Sequence, residues 1–428
     1  MKYLVVVPDG AADDIDEEYF KTPLEIAEIP HMHELARRGS TGRVKTVPDG
    51  VPPGSDAANL AVLGYDPEKD LSGRSPLEAV SMGIELGDRD VSFRTNLVTL
   101  EGNADNYEDL IIKDHASGDI PDEDGRVLIE YIDSILGSGD PKNGGRLKFY
   151  PGISYRHAMV IKDGPPTENG FGDVYDDYKN YNTTPPHDIL TRRIGDYLPL
   201  QENEKYFLDM MKKSYELLKN HDINKQRVLR GLNPANSLWM WGMGTRPMIK
   251  PLTEIYGIDG SVIAAVDLIK GIGICAGLEP IDVPGADGTI HSYMKGKADA
   301  AIGEFKRGKD LVFVHIEAPD ECAHQGSRAE KIKALERVDA EVLGPLLDYL
   351  RGTGEDFKVL LLPDHKTPVK LRTHTNAPVP YVVYDSLQEN YDKYSAFTER
   401  AVEDKELIPT GAELAKKFFS GMDEKGQA

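Results

Sequence analysis

Cysteine is scarce in this chain: only Cys275 and Cys322 occur in 428 residues. Two thiols cannot build the disulfide framework on which small secreted domains depend, so stability must come from packing. A chain of this length can bury a large core and carry a second domain. Long apolar runs are missing as well. No stretch approaches the roughly 18 residues needed to cross a bilayer, so no membrane association is expected. The amino-terminal MKYLVVVPDG reaches Pro-Asp-Gly without a small-residue cleavage site. It reads as a buried first strand rather than a signal peptide, and the cytoplasm is the expected location. Positive charge is in deficit too, with 50 Lys and Arg against 72 Asp and Glu, a formal net charge of -22. That balance argues against nonspecific nucleic-acid binding, which needs a basic footprint. It also means that an anionic substrate must be met by a local island of metal and arginine charge.

What is present has the rhythm of an α/β protein. Short, continuous apolar runs ending in turn residues read as buried strands at 3–7, 262–265, 311–316, 359–362 and 381–384. Helical patterns lie between many of them, at 30–38, 204–218, 297–305 and 328–350. This alternation implies a mostly parallel sheet covered by helices on both faces. Residues 88–191 have a different texture: VSFRTNLVTL and LKFYPGISYRHAMVIK flank a helix near 125–136. They suggest a smaller α+β domain at 89–189 inserted into a core made of 1–88 and 190–428. The Gly-, Pro- and Asn-rich stretch 164–188 reads as an irregular lid or linker.

Three of the strand-like runs are followed at once by metal-type ligands. LVVVPDG sets Asp9 past the first strand, LVFVHIEAPDECAH sets Asp320 and His324 past another, and VLLLPDH sets Asp364 and His365 past a third. The carboxyl ends of strands are where sites assemble in open α/β sheets. A single such Asp is an ordinary turn residue; three, two of them with His, are a pattern. Asp320 and His324 are four apart, on one face of a helical turn. His374 follows in a loop that can fold back. Carboxylate and imidazole together suit Mn²⁺, Zn²⁺ or a related divalent ion. Cys322, two residues along that helix from Asp320, points away from the ligand face and reads as a buried structural thiol. In VPPGSDAANLAVLG, Ser55 sits where a helix opens. Alone it would be an N-cap. Beside metal ligands it reads as a nucleophile, because helix N-termini favour phosphate and a metal supplies the activation that serine lacks. No G-x-S-x-G motif offers another route.

Asp9-Gly10, Pro53-Gly54-Ser55-Asp56, Leu63-Gly64-Tyr65-Asp66, Asp320 with His324, Asp364-His365 and His374 resemble the cofactor-independent phosphoglycerate mutases. The likeness is to their archaeal-type branch of the alkaline-phosphatase superfamily, and it runs over nearly the whole chain. It implies two divalent metal ions, Mn²⁺ first with Zn²⁺ or Mg²⁺ compatible. Asp320, His324 and His374 would hold one ion, and Asp9, Ser55, Asp364 and His365 the other. The implied activity interconverts 2- and 3-phosphoglycerate through a phosphoserine at Ser55, with a small phosphorylated substrate and no assigned oligomeric state. Substrate oxyanions would fall to Arg94 in SFRTN, Arg156 in SYRHAM, Lys270 in DLIKGIG, and the Asp114-His115 turn of KDHASGDI. The mutase branch more often shows Asp-Arg at that turn. His115, SYRH and PPHDI are similar to a subgroup proposed to be homoserine kinases, so transfer from ATP to homoserine stands as the alternative.

Overall fold

The apolar run at the amino terminus lies at the centre of a sheet. In the computed structural model, which describes residues 1–102, 106–163, 166–167, 170–171, 184–200 and 204–420, the chain divides into two units. One is Met1–Leu71 with Ile249–Ala428, the other Ser72–Met248. Most of the stretch 164–188, and the polar carboxyl terminus from 421 on, lie outside the described residues.

The first unit is built on β1 (Lys2–Pro8), α1 (Pro30–Arg38), β2 (Ser40–Val44), α2 (Ser55–Val62), β3 (Gly260–Ile263), β4 (Glu279–Ile281), α3 (Met294–Lys306), β5 (Leu311–Ile316), α4 (Ala318–His324), α5 (Arg328–Arg337), α6 (Gly344–Thr353), β6 (Phe357–Leu361), β7 (Val379–Asp385), β8 (Leu407–Ile408) and α7 (Gly411–Ser420). Its eight strands run in the order β4-β3-β5-β1-β6-β7-β2-β8. Only the pairings of β7, with β6 and with β2, are antiparallel, which bears out the mostly parallel sheet between helices. Leu4–Val7 are buried on both faces, as a central parallel strand requires. The register is what matters for function. Val7 lies opposite His315 and Pro8 opposite Ile316, while Val6 lies opposite Leu361. Three strands therefore end level, and whatever follows them is delivered to one edge.

Residues 328–350 are helical throughout, as expected, but not in one regular α-pattern. A wider π-turn, Val338–Leu343, separates α5 from α6. Pro345 has no N–H to give to the preceding turn, so the regular pattern fails there. Asp339 in the widened turn is buried, and its carboxylate accepts from the backbone N–H groups of His31 and Met32. It thereby caps α1, whose own N-cap position is Ile29 and offers no side chain.

The second unit is an α+β sandwich around Val91–Glu101. This strand pairs antiparallel with Arg156–Ile161 on one side and Ser237–Thr245 on the other, and near its end with Ile111–Asp114; Leu147–Tyr150 extends the sheet beyond Arg156–Ile161. Helices Asp122–Leu136 and Lys205–Leu218 cover it, with Leu128, Ile132, Phe207 and Met211 packed on Phe93, Phe149, Met159 and Trp239. The unit is wider than the expected 89–189. Its boundaries move outward because Ser237–Thr245 pairs along Val91–Val98 and the amphipathic helix at 205–218 buries its apolar face on this same sheet. Both belong here rather than to the core.

His157 in this unit is buried. Its Nδ1 accepts from the Gly152 N–H at 3.0 Å, and among the described residues its Nε2 has no partner. Burial lowers its pKa to about 3. The imidazole is therefore neutral in the folded chain, whereas the unfolded chain binds a proton at about pH 6.5. The folded pKa is the lower one, so stability falls as pH drops below about 6.5. Both tryptophans, Trp239 and Trp241, lie in this unit, so tryptophan fluorescence reads its unfolding. Between pH 7.5 and 5.0 the native chain should lose about 2 kcal/mol more than His157→Gln in denaturant titrations. Parallel pH slopes for the two proteins would contradict the neutral buried imidazole.

Candidate metal centre

Each functional side chain is placed by a strand end or a helix start. Asp9 follows β1 directly. The next residue, Gly10, has φ +59, and a Cβ there would come within 2.4 Å of Asp320 Oδ1 and 2.6 Å of Thr367 Oγ1. Only glycine lets β1 end so close to its neighbours. Gly10 N donates to Asp364 Oδ1 at 3.1 Å, and His365 N donates to the same oxygen at 2.9 Å. Asp364 Oδ2 accepts from Asn59 Nδ2 at 2.8 Å, and the same amide nitrogen lies 2.8 Å from the Ser55 carbonyl. Asn59, one turn into α2, thus ties the serine-bearing helix to the end of β6. Ser55 opens α2 with its Oγ 3.0 Å from His365 Nε2. The loop after β6 folds back through the hydrogen bond from Thr375 N to Lys366 O, bringing His374 into reach.

All seven expected metal-centre residues come together. His324 Nε2 lies 2.9 Å from His374 Nε2 and 3.1 Å from Asp320 Oδ2, and His374 Nε2 is 3.5 Å from that same oxygen. His365 Nε2 is 3.5 Å from both Asp9 Oδ1 and Asp364 Oδ2. His365 also groups with Asp320 and His374, so it stands between the two expected sets. A further imidazole, His315 on β5, groups with Asp9 and Asp364. Nothing in its immediate sequence marks it, apart from being the one polar side chain in the buried run LVFVHI. Glu317, Lys297, Thr367 and Asn59 also support the site and were not singled out from sequence. Cys322 packs in the hydrophobic core, and burial pushes its thiol up to about 11.

The electrostatics ask for cations. Burial, reinforced by Asp364 and Asp320, pushes the Asp9 carboxyl well above the usual range, and among the described residues its Oδ1 has no hydrogen-bond partner. Burial opposes ionisation of Asp320 too, but hydrogen bonds from His324 and His374 hold it well below the usual range. The hydrogen bond to Asp320 lifts His324 to about 9. Burial would lower His315, yet Asp364 and Glu317 carry it up to about 9. An orphaned carboxylate oxygen among buried acids and imidazoles fits divalent ions, whose charge would take the place of these protons.

The family model for 2,3-bisphosphoglycerate-independent phosphoglycerate mutase matches residues 36–224. The chain is 45% identical over 402 residues to a protein of that name from Methanosarcina barkeri, covering 94% of each. The chain belongs to the 2,3-bisphosphoglycerate-independent phosphoglycerate mutase family. It is also 43% identical over 403 residues to a probable mutase of this kind from Geobacter sulfurreducens, covering 92% of this chain and 95% of that one. A structure from Pyrococcus horikoshii, 25% identical, aligns with a TM-score of 0.76 over 100% of this chain and 99% of its own. A cofactor-independent phosphoglycerate mutase from Thermoplasma acidophilum, 22% identical, shares the fold with a TM-score of 0.63 over 98% and 99%. Nothing in these likenesses supports the homoserine kinase alternative.

Of the residues expected to meet substrate in this mutase-family chain, four lie in the second unit. Arg94 lies 4.1 Å over the Trp241 ring and pairs with Glu78 at 2.9 Å. Arg156 lies over Tyr155, whose ring meets His115 edge-on at 5.7 Å. Charges of Arg74 and Arg156 add to burial in lowering the Arg94 pKa, so these guanidinium groups are neighbours. Asp114 turns inward as a loop anchor, accepting from Ala116 N, Gly118 N and Asn233 Nδ2. Lys270 lies in the first unit, paired with Asp282.

Because bound cations would offset the buried acids more fully than protons on Asp9, His315 and His324 do, chelation should destabilise the first unit. Mn²⁺ at a hundred times its Kd should restore about 2.7 kcal/mol per site. Scanning calorimetry with and without chelator checks this, and a melting profile indifferent to both would count against the fit.

Proposed function

We propose that this chain interconverts 2-phosphoglycerate and 3-phosphoglycerate, with Ser55 carrying the phosphoryl group between the two hydroxyls. The observation that carries this reading is the placing of Ser55 Oγ, 3.0 Å from His365 Nε2, at the start of a helix whose N-cap is Gly54 and which has no side-chain cap. The first-turn N–H groups of α2 are therefore not taken up by a capping side chain and can receive phosphoryl oxygens. Asp320, His324 and His374 are proposed to hold one divalent ion, and Asp9, Ser55, Asp364 and His365 the other, with Mn²⁺ preferred and Zn²⁺ or Mg²⁺ compatible. When bound, the ions supply Lewis acidity, lowering the serine pKa and neutralising charge on the phosphoryl oxygens.

In the forward half-reaction Ser55 Oγ bonds to phosphorus as the glycerate C–O–P bond breaks at phosphorus, and the departing alkoxide takes up a proton. The glycerate then reorients, and its other hydroxyl receives the phosphoryl group as Ser55 regains its proton. Asn59 keeps the helix start fixed relative to Asp364 throughout. Arg94, Asp114, His115, Arg156 and Lys270 are proposed to read the substrate's carboxylate and phosphate. The second unit is proposed to bind substrate and keep water from the phosphoserine. Among the described residues no helix is long and apolar enough to cross a membrane, and we assign the activity to the cytoplasm.

The test is direct. With Mn²⁺ present, 3-phosphoglycerate and added enolase should yield phosphoenolpyruvate, while ATP and homoserine given to the same preparation should yield no ADP. Absence of phosphoenolpyruvate overturns the mutase assignment. Ser55→Ala should lower turnover by on the order of 10⁴ or more while most of the metal stays bound. Retained turnover in that variant would remove the phosphoserine.

A further inference from the structure

We infer that His315 is a direct ligand of the ion held by Asp9 and Asp364, which makes this a four-imidazole metal centre. The inference rests on the two-ion reading above and adds a residue to it. His315 is wholly buried on β5, opposite Val7 of β1. Its Nε2 lies 3.5 Å from Asp9 Oδ2 and 3.6 Å from Asp364 Oδ2. These separations are too long for effective hydrogen bonds. They fit donors that would share one ion: bonds of about 2.1 Å at angles of about 90–120° would place neighbouring donors about 3.0–3.6 Å apart. His365 Nε2 stands at the same 3.5 Å from Asp9 Oδ1 and from Asp364 Oδ2. Two imidazoles thus flank one carboxylate pair at the same spacing.

The orientation of the rings supports this independently. A metal-bound imidazole nearly always donates its second N–H to a fixed acceptor. His324 Nδ1 lies 2.9 Å from Arg372 O, and His374 Nδ1 lies 3.3 Å from Pro53 O. His365 Nδ1 lies 3.1 Å from Thr367 Oγ1, whose proton goes to Asp320 Oδ1 at 2.6 Å. His315 is turned the same way, with its Nδ1 toward an acceptor but not hydrogen-bonded to it. Its Nδ1 faces Glu317 Oε1 at 3.4 Å, a long contact with no closer partner among the described residues. All four rings turn Nδ1 outward to an acceptor and Nε2 toward the carboxylates.

Glu317 is itself held on every side. Its Oε1 accepts from Ala265 N at 2.6 Å and Val266 N at 3.3 Å, and its Oε2 accepts from Lys297 Nζ at 2.5 Å. Lys297 Nζ also donates to His315 O at 2.7 Å, so lysine and carboxylate bracket the histidine from both ends. A buried ion pair like this is weak evidence of stability, since desolvation offsets its attraction. Orienting a ligand imidazole gives it a purpose. Lys297 and Glu317 are accordingly positioning residues, and His315 is the ligand.

Two measurements on the full chain decide the matter. The first uses the wild-type protein labelled with ¹⁵N-histidine and loaded with Co²⁺. Four hyperfine-shifted imidazole N–H resonances are expected, and three would overturn the inference, leaving His315 as a counter-charge. The second is titration calorimetry with Mn²⁺. His315→Gln should weaken one of two sites by about 100-fold or more and leave the other unchanged, and Glu317→Gln should weaken that same site by about 10- to 100-fold. Two sites of native affinity in His315→Gln would also overturn it. Should that variant fail to fold, the resonance count on the wild type still decides. A wild-type chain that binds fewer than two ions removes the two-ion reading and this inference with it; two ions with three imidazoles removes the inference alone.

Discussion

Four carboxylates, those of Asp9, Glu317, Asp320 and Asp364, are buried at the ends of three adjacent strands, and their mutual repulsion is the constraint around which the first unit is arranged. Like charges brought this close out of water cannot all stay ionised without compensation. The chain answers in two ways. Glu317 has its own lysine and two backbone donors, so it is settled internally. The other three lean on imidazoles and on a few neutral donors, the N–H groups of Gly10 and His365, the Asn59 amide and the Thr367 hydroxyl. The neutral donors orient the carboxylates without cancelling their charge. That division separates an acid that serves the scaffold from acids kept for cations.

The same constraint accounts for the backbone around the site. Level strand ends are necessary but not sufficient, because a side chain at Gly10 would strike Asp320 and Thr367. The uncapped start of α2 follows the same logic, since a capping side chain at position 54 would take up the N–H groups proposed to receive a phosphoryl oxygen. Asn59 then replaces the lost local tie with one to Asp364.

How much of this could be read in the residues depended on the range of the interaction. β5 and α1 fall on their expected bounds, and the ligand motifs were visible because each places its donors next to a strand end in sequence. The long helix runs through as expected, and only its local widening at 338–343, where Pro345 meets a demand from a distant element, the capping of α1 by Asp339, was not legible. The extent of the second unit was misjudged because strand pairing between 91–98 and 237–245 joins segments more than a hundred residues apart. His315 was passed over for a related reason. In a strand buried on both faces there is no polar alternation to say which way a residue points, and only the register with β1 brings its ring nitrogen to Asp9.

A net charge of -22 also has to be reconciled with an anionic substrate. Exposed acids act over about a Debye length, roughly 8 Å at physiological ionic strength, so remote surface charge weighs little at a buried centre. What counts there is local, and locally the sign can reverse. The two divalent ions proposed above would carry four positive charges against the three negative charges of Asp9, Asp320 and Asp364. In the second unit, Arg74 and Arg156 stand close enough to Arg94 for their charges to add to burial in lowering its pKa. Such cations gather only where an anion or a ring will receive them, and Trp241 and Glu78 already hold Arg94 in a single pose. An acidic exterior with cationic charge confined to fixed positions favours small, discrete anions over polyanions, because an extended phosphate chain would have to lie along the acidic surface to reach them.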